Sequence, residues 1–177
     1  LTINAGAYNT ESRDQNGNLT SYEQDHETGM LMSVTNAKNV VTNYEYYPTT
    51  NNIAFGKQKS VATSNSKVTY NYNDDTQRLE SIVFGTTKQE TYSFEYDVFG
   101  NITQTKVGSQ PLSTNTFADH NGVLEKTVYG NGDSRRFSYN KLGQKIVDYV
   151  TDGGSEKKSY SWAYNDYGVN VRHTDYV

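Results

Sequence analysis

The sequence predicts an all-β chain laid out as a strip of antiparallel β-hairpins, and three observations lead there. Aromatic and polar residues alternate in short runs, as in Tyr92-Ser93-Phe94-Glu95-Tyr96, the period-two pattern of a strand with one buried face. An Asp or Asn follows such a run, with a glycine three positions later, as in Asp97-Val98-Phe99-Gly100. That is turn chemistry: the short polar side chain bonds the backbone ahead of it and the glycine accepts positive φ. The combination also recurs, because the aliphatic residue after the glycine stands at 102, 124 and 146, two steps of 22 residues.

The elements can be followed along the chain. Asp14-Gln15-Asn16-Gly17-Asn18-Leu19 and Asp25-His26-Glu27-Thr28-Gly29-Met30-Leu31 place two turns with their leucines 12 apart. Asn36-Ala37-Lys38-Asn39-Val40-Val41 follows, with Asn39 where the glycine would stand. Leu19 to Val41 and Leu31 to Ile53 are again steps of 22, so turn chemistry falls at both ends of each hairpin. Tyr44-Glu45-Tyr46-Tyr47-Pro48, running on to Ile53, and Tyr70-Asn71-Tyr72-Asn73, with Gln77 in place of glycine before Leu79, are looser copies. The unit is complete in Tyr96, Asp97, Gly100, Asn101 and Ile102. It continues with Asp119, Gly122 and Leu124, then with Tyr139, Gly143 and Ile146, and then with Tyr164 and Gly168, after which the aliphatic position slips to Val171. Returning strands such as Leu124-Glu125-Lys126-Thr127-Val128-Tyr129 end in second turns, Gly130-Asn131-Gly132-Asp133 and later Asp152-Gly153-Gly154. Strand, turn, strand, turn is a meander. A lone hairpin is marginal in water, so neighbours must share their aromatic faces and the array folds as the unit.

Composition narrows the function. Tyrosine is used 16 times in 177 residues, against Phe 6 and Trp 1, and it supplies strand propensity with a ring that can stay wet at one end. Mean hydropathy is -0.86, low for a two-layer core. No apolar run approaches the roughly 18 residues that a membrane span needs. The net charge of -4 and the scattered basic pairs Arg135-Arg136 and Lys157-Lys158 give no nucleic-acid footprint. Cysteine is absent, which removes disulfides and thiolate metal sites. The three histidines, His26, His120 and His173, stand beside acidic residues, but Asp25-His26 and Asp119-His120 fall in the turn slot, which accounts for them without chemistry. No catalytic, metal or cofactor residue is assigned, and the chain reads as no enzyme.

Tyr-Asp-x-x-Gly-Asn-Ile, intact from Tyr96 to Ile102 and echoed in eight or nine phased copies between Arg13 and Val171, resembles the YD repeat of the RHS family. That family includes bacterial RHS and wall-associated polymorphic toxins, the C component of insecticidal Tc toxin complexes, and the teneurins. Departures stand at Asn39 and Gln77, which replace glycine, and at Arg13 and Gln24, which replace tyrosine; these weaken individual turns.

The resemblance implies a curved strip of hairpins spiralling into a hollow shell. It makes residues 1–177 one YD/RHS repeat array, an internal piece of a larger bacterial protein, secreted or on the cell surface. Its partners would be the remainder of the parent and a C-terminal toxin or effector enclosed by the shell. The alternative is a carbohydrate-binding or adhesion module that offers exposed tyrosines, Tyr129 or Tyr149, to a cell-surface glycan. Bare strand edges near Leu1 and Val177 would favour end-to-end self-association. The Asn18 and Asn101 sequons arise from the repeat's own pattern.

Overall fold

The computed structural model describes residues 2–3, 8–48, 50 and 54–176. Ile53, Leu1 and Val177, on which the expectations above partly rest, lie outside the described residues. The chain divides into two compact units, Leu1–Thr91 and Tyr92–Val177. Among the described residues there is no helix, and in each unit strand order follows chain order.

The first unit contains β1 (Thr2–Ile3), β2 (Asn9–Arg13), β3 (Leu19–Gln24), β4 (Leu31–Thr35), β5 (Val41–Tyr46), β6 (Gln58–Ala62), β7 (Lys67–Tyr72) and β8 (Leu79–Phe84). Residues directly opposite one another share a face, and the register sorts them cleanly. Tyr22 opposes Val34, Tyr44 opposes Val61, Val61 opposes Val68, and Tyr70 opposes Ile82. This is the aromatic and aliphatic face that the alternation predicts. The opposite face is a hydrogen-bonded layer: Ser33 donates to Glu23 at 3.0 Å, Ser60 to Glu45 at 2.8 Å, and the Asn71 amide to Ser81 at 2.9 Å.

The second unit contains β9 (Glu90–Tyr96, all but its first two residues), β10 (Ile102–Val107), β11 (Gln110–Phe117), β12 (Leu124–Tyr129), β13 (Ser134–Tyr139), β14 (Lys145–Asp152), β15 (Ser155–Tyr164) and β16 (Asn170–Asp175). Its aromatic face is interrupted. Phe137 opposes Asp148, which opposes Tyr160, while Arg135 opposes Thr127 and Val150. Farther along the face, His173 lies across from Trp162 with their rings stacked 5.3 Å apart. The Lys145 ammonium sits 4.3 Å from the Phe137 ring centre.

Burial departs from the expectation of an apolar layer. Among the described residues, Ala54 and Ala118 are the fully buried apolar ones, and most strand aromatics are half-exposed. Small or paired polar groups lie deepest, with Ser60 at 1% and Asp148 at 2% exposure. A single-layer sheet explains this: a large ring on either face stays partly wet, and only short side chains sink between their neighbours.

A second feature is periodic. The register slips by one residue at Glu23/Gln24, Glu45/Tyr46, Asn71/Tyr72, Thr116/Phe117, Ser138/Tyr139 and Ala163/Tyr164. Each is a bulge at the last aromatic position, or its equivalent, before a turn. A bulge bends its strand and increases the local twist.

Candidate functional site: the signature turns

The signature turns at Asp14, Asn36, Asp97, Asn140 and Asn165 are each a side-chain cap on a tight backbone loop. At Asp97 one carboxylate oxygen accepts the N–H groups of Phe99 and Asn101, both at 2.9 Å, and the Gly100 N–H returns to the Asp97 carbonyl at 3.1 Å. The Asn101 amide donates to the other carboxylate oxygen at 2.8 Å. These bonds, that of the Asn101 side chain first, hold the Asp97 pKa below the ordinary aspartate value. The same Oδ1 cap appears at Asp14, Asn36, Asn140 and Asn165, accepting from the residues two and four ahead at 2.8 to 3.1 Å.

A wider variant occurs at Asp25 and Asn73, where Oδ1 accepts the N–H groups two and three ahead and also a threonine hydroxyl, from Thr28 or Thr76. Burying or straining a turn is costly unless its backbone groups are paired, and one Asx side chain pairs several at once.

The glycine position is left-handed in every copy. Gly100, Gly122, Gly143 and Gly168 have φ of 95°, 67°, 75° and 76°. Asn39 and Gln77 take the same conformation, with φ of 58° and 60°, so both turns keep their shape without glycine. The left-handed well costs a non-glycine residue of order 1 kcal/mol, less for Asn than for Gln.

The tyrosine of the signature has its own task. At the end of β13 the Tyr139 hydroxyl donates to the Leu124 carbonyl at 2.6 Å, and at the end of β15 Tyr164 donates to the Lys145 carbonyl at 2.9 Å. Each fastens its turn to the first residue of the preceding strand. Burial raises the Tyr139 pKa, so the hydroxyl stays a donor. Leu124 and Ile102 open β12 and β10, as expected of the aliphatic position; Ile146 stands second in β14, beside the bulge. Tyr96 closes β9.

One repeat departs from this scheme, and there the expectation for Asp119 needs correction. The capping slot of that turn is Ala118, whose carbonyl accepts the Gly122 N–H at 2.8 Å and whose N–H reaches Val123 at 2.9 Å. Asp119 stands one position beyond the slot and is exposed. Phe117 fills the tyrosine position without a hydroxyl, and the Asn115 amide takes over, donating to the Ile102 carbonyl at 2.9 Å.

Three contacts were not marked by the repeat. Gln144 donates to the Gly168 carbonyl at 2.9 Å, linking consecutive signature turns. Arg135 grips buried Asp148 with two nitrogens, at 2.5 and 3.3 Å, and this bond raises the arginine pKa. Arg136, paired with Glu156 at 2.6 and 2.9 Å, lies 4.0 Å over the Tyr149 ring. Tyr149 is therefore covered rather than offered to a sugar, while Tyr129 is exposed. Among the described residues no group of three or more His, Cys, Asp or Glu is placed to hold a metal.

An antiparallel meander with a capped, left-handed turn at fixed intervals defines a β-hairpin repeat protein. Solved structures of Tc toxin proteins share this fold. The crystal structure of TcdB2-TccC3 superposes with a TM-score of 0.70 at 16% identity, over 94% of this chain and 10% of that one. The TcdB2-TccC3-Cdc42 structure gives 0.68 at 15%, over 93% and 9%. The Photorhabdus luminescens Tc holotoxin pore with the TccC3-D651A mutation gives 0.63 at 15%, over 94% and 9%. This chain thus spans about a tenth of the length of the chains it resembles. No protein-family profile and no curated protein sequence matches it.

Proposed function

We propose that this chain is a stretch of wall in a YD-repeat (RHS) shell, a structural segment that encloses or presents a toxin or effector domain encoded elsewhere in a longer secreted protein. The observation that carries this reading is the repeated capped turn on a backbone shared with Tc toxin proteins. The Tc toxin C component is one of the family members that the Tyr-Asp motif resembles, so motif and backbone point the same way. The Asx caps and tyrosine hydroxyls of the repeat serve the turn or the neighbouring strand, which supports a scaffold role. Its two units are successive stretches of one repeat array, and its partners are the flanking repeats and the cargo. Electron cryomicroscopy of the longer protein tests this. A hollow density with these hairpins in its wall is the expected result, and an open, solid or rod-like particle would refute it.

Adhesion through exposed rings is the second reading. It rests on Phe99 and Tyr167, 77% and 91% exposed at the tips of their turns.

A further inference from the structure

In each unit the turns that lead into the even-numbered strands line one edge of the meander. On that edge a position that the motif does not mark follows a rule of its own. The residue just before an even-numbered strand reaches the left-handed residue of the next turn along. Tyr8, before β2, lies against Gly29, where a Cβ would meet its hydroxyl oxygen at 2.6 Å. Met30, before β4, puts its terminal methyl 3.3 Å from a Cβ at Gly56. Lys57, before β6, donates its ammonium to the Gln77 carbonyl. Asn101, before β10, brings its amide nitrogen to 3.9 Å from a Cβ at Gly122. Gln144, before β14, donates to the Gly168 carbonyl at 2.9 Å. The residues reached have φ between 60° and 76°.

The strands joined at the opposite edge show why such a brace is needed. β2 and β3 pair from Arg13 opposite Leu19 to Glu11 opposite Ser21, and β4 and β5 from Thr35 opposite Val41 to Ser33 opposite Asn43. β6 and β7 pair from Ala62 opposite Lys67 to Ser60 opposite Thr69. Each ladder stops short of the edge in question, so the ladders themselves do not tie consecutive turns together there. Side chains do so instead. A phenol, a thioether, an ammonium and two amides all serve, because reach matters more than chemistry.

In the second unit β12 and β13 also pair over a short span, from Val128 opposite Ser134 to Lys126 opposite Arg136. Here the brace is missing. Val123 occupies the position before β12, and nothing lies within 4 Å of a Cβ at Gly143, the left-handed residue of the next turn. A cleft of about 550 Å³ opens in its place, with His120, Val123, Phe137 and Tyr139 among its walls. The Tyr139 hydroxyl bond to the Leu124 carbonyl still spans the two strands.

We propose that the residue before an even-numbered strand acts as a strut between consecutive turns of this edge. Its omission at Val123 makes the β12–β13 pairing a seam along which the second unit opens first. Stability in a repeat array is passed between nearest neighbours, so a short pairing without its strut has the least to break on opening. Glycine at the reached position then serves twice. It accepts positive φ, and at Gly29 and Gly168 it leaves the room that the strut occupies. The inference goes beyond the wall reading and stands without it.

The test is native-state hydrogen exchange of the full chain, read by NMR as protection factors. The slowest amides at 126–128 and 134–136, in the β12–β13 pairing, should be protected at least about fivefold less than the slowest of the β14–β15 pairing, at 147–152 and 155–161. Fivefold is about what one net hydrogen bond supplies. Val123→Gln sets at the seam the side chain that Gln144 provides one turn later, and it should raise protection at 126–128 and 134–136 by about fivefold. Gln144→Glu keeps an acceptor for the Asn140 amide but loses the donor to Gly168. It should lower protection in the β14–β15 pairing by about fivefold and leave β12–β13 unchanged. Equal protection of the two pairings in the unaltered chain, no gain in Val123→Gln, or no loss in Gln144→Glu would each overturn the proposal. If Val123→Gln does not fold, Val123→Met, which restores the reach seen at Met30, carries the same expectation.

Discussion

The two units use the same turn but spend their strand faces differently. In the first, one face is mostly aromatic and aliphatic, running through Tyr22, Val34, Tyr44, Val61, Val68, Tyr70 and Ile82, with Thr42 opposite Val34. In the second, the equivalent surface carries a buried carboxylate, its arginine, and a lysine lodged between Phe137 and Trp162. The turns differ in the opposite sense. The first unit admits Asn39 and Gln77 at left-handed positions and has polar tips such as Asn16 and Lys38, whereas the second keeps glycine and exposes Phe99, Leu142 and Tyr167. Strand content is therefore negotiable in this fold, while Asx-capped turns with a left-handed residue recur in both units.

The largest effect should come from breaking the feature peculiar to the second unit. Asp148→Ala leaves a partly buried guanidinium unpaired, and because Arg135 is 39% exposed in its side chain the loss should be about 2 kcal/mol, below that of a fully buried pair. Lys67→Ala, which breaks a 3.8 Å surface pair with Glu45 in the first unit and leaves the Ser60–Glu45 hydrogen bond in place, should cost less than about 1 kcal/mol. Urea midpoints at unchanged m-value measure both; equal losses would mean that the second unit does not lean on its ion pair.

Tyr139→Phe removes one hydrogen bond to a backbone carbonyl, and about 1 kcal/mol should go with it. Phe117→Leu, at the copy that never had the hydroxyl, serves as the reference: hydrogen exchange at Leu124 and Glu125 should quicken in the first variant and not in the second.

Gln77→Gly should work in the other direction, stabilising the first unit by up to about 1 kcal/mol as the left-handed strain is relieved. A lower unfolding midpoint would show that Gln77 makes up its strain through contacts of its own.

The smallest effect is local and depends on pH. Asp97 has a folded-state pKa below the ordinary 3.8, so its contribution to stability is complete above the unfolded value. It is lost as pH falls through the depressed folded value. Asn140 and Asn165 make the same cap without titrating. On acidification below about pH 4 the Phe99 and Asn101 amide resonances should move while those of Leu142 and Gln144 hold still. Movement of all four together would assign the acid response to something other than the caps.

Much of this was legible in the sequence because turn chemistry is local. Asp97 caps its own turn and Gly100, Gly143 and Gly168 are left-handed, an arrangement settled within a few residues because an Asx side chain reaches no farther. Leu19 and Leu31 revealed turns at both ends of a hairpin for the same reason. The bulges were not legible, because two residues opposing one is a property of paired strands and leaves no mark in either. Nor was the Arg135–Asp148 pair, whose 13-residue separation means nothing until β13 and β14 are in register. Asp119 misled because an acid beside a turn looks like its cap, and one position decides whether its oxygen can reach the backbone. The alternation of aromatics located the strands but overstated their burial, which a single layer cannot supply.

The most direct test of the wall reading is protease protection in the longer protein, with its C-terminal region tagged and denaturant raised stepwise. If these repeats enclose that region, the tag should stay uncut until the denaturant concentration at which the repeats unfold, and Asp148→Ala should shift both events downward together. Cleavage of the tagged region at once, with the repeats still folded, would contradict the wall reading.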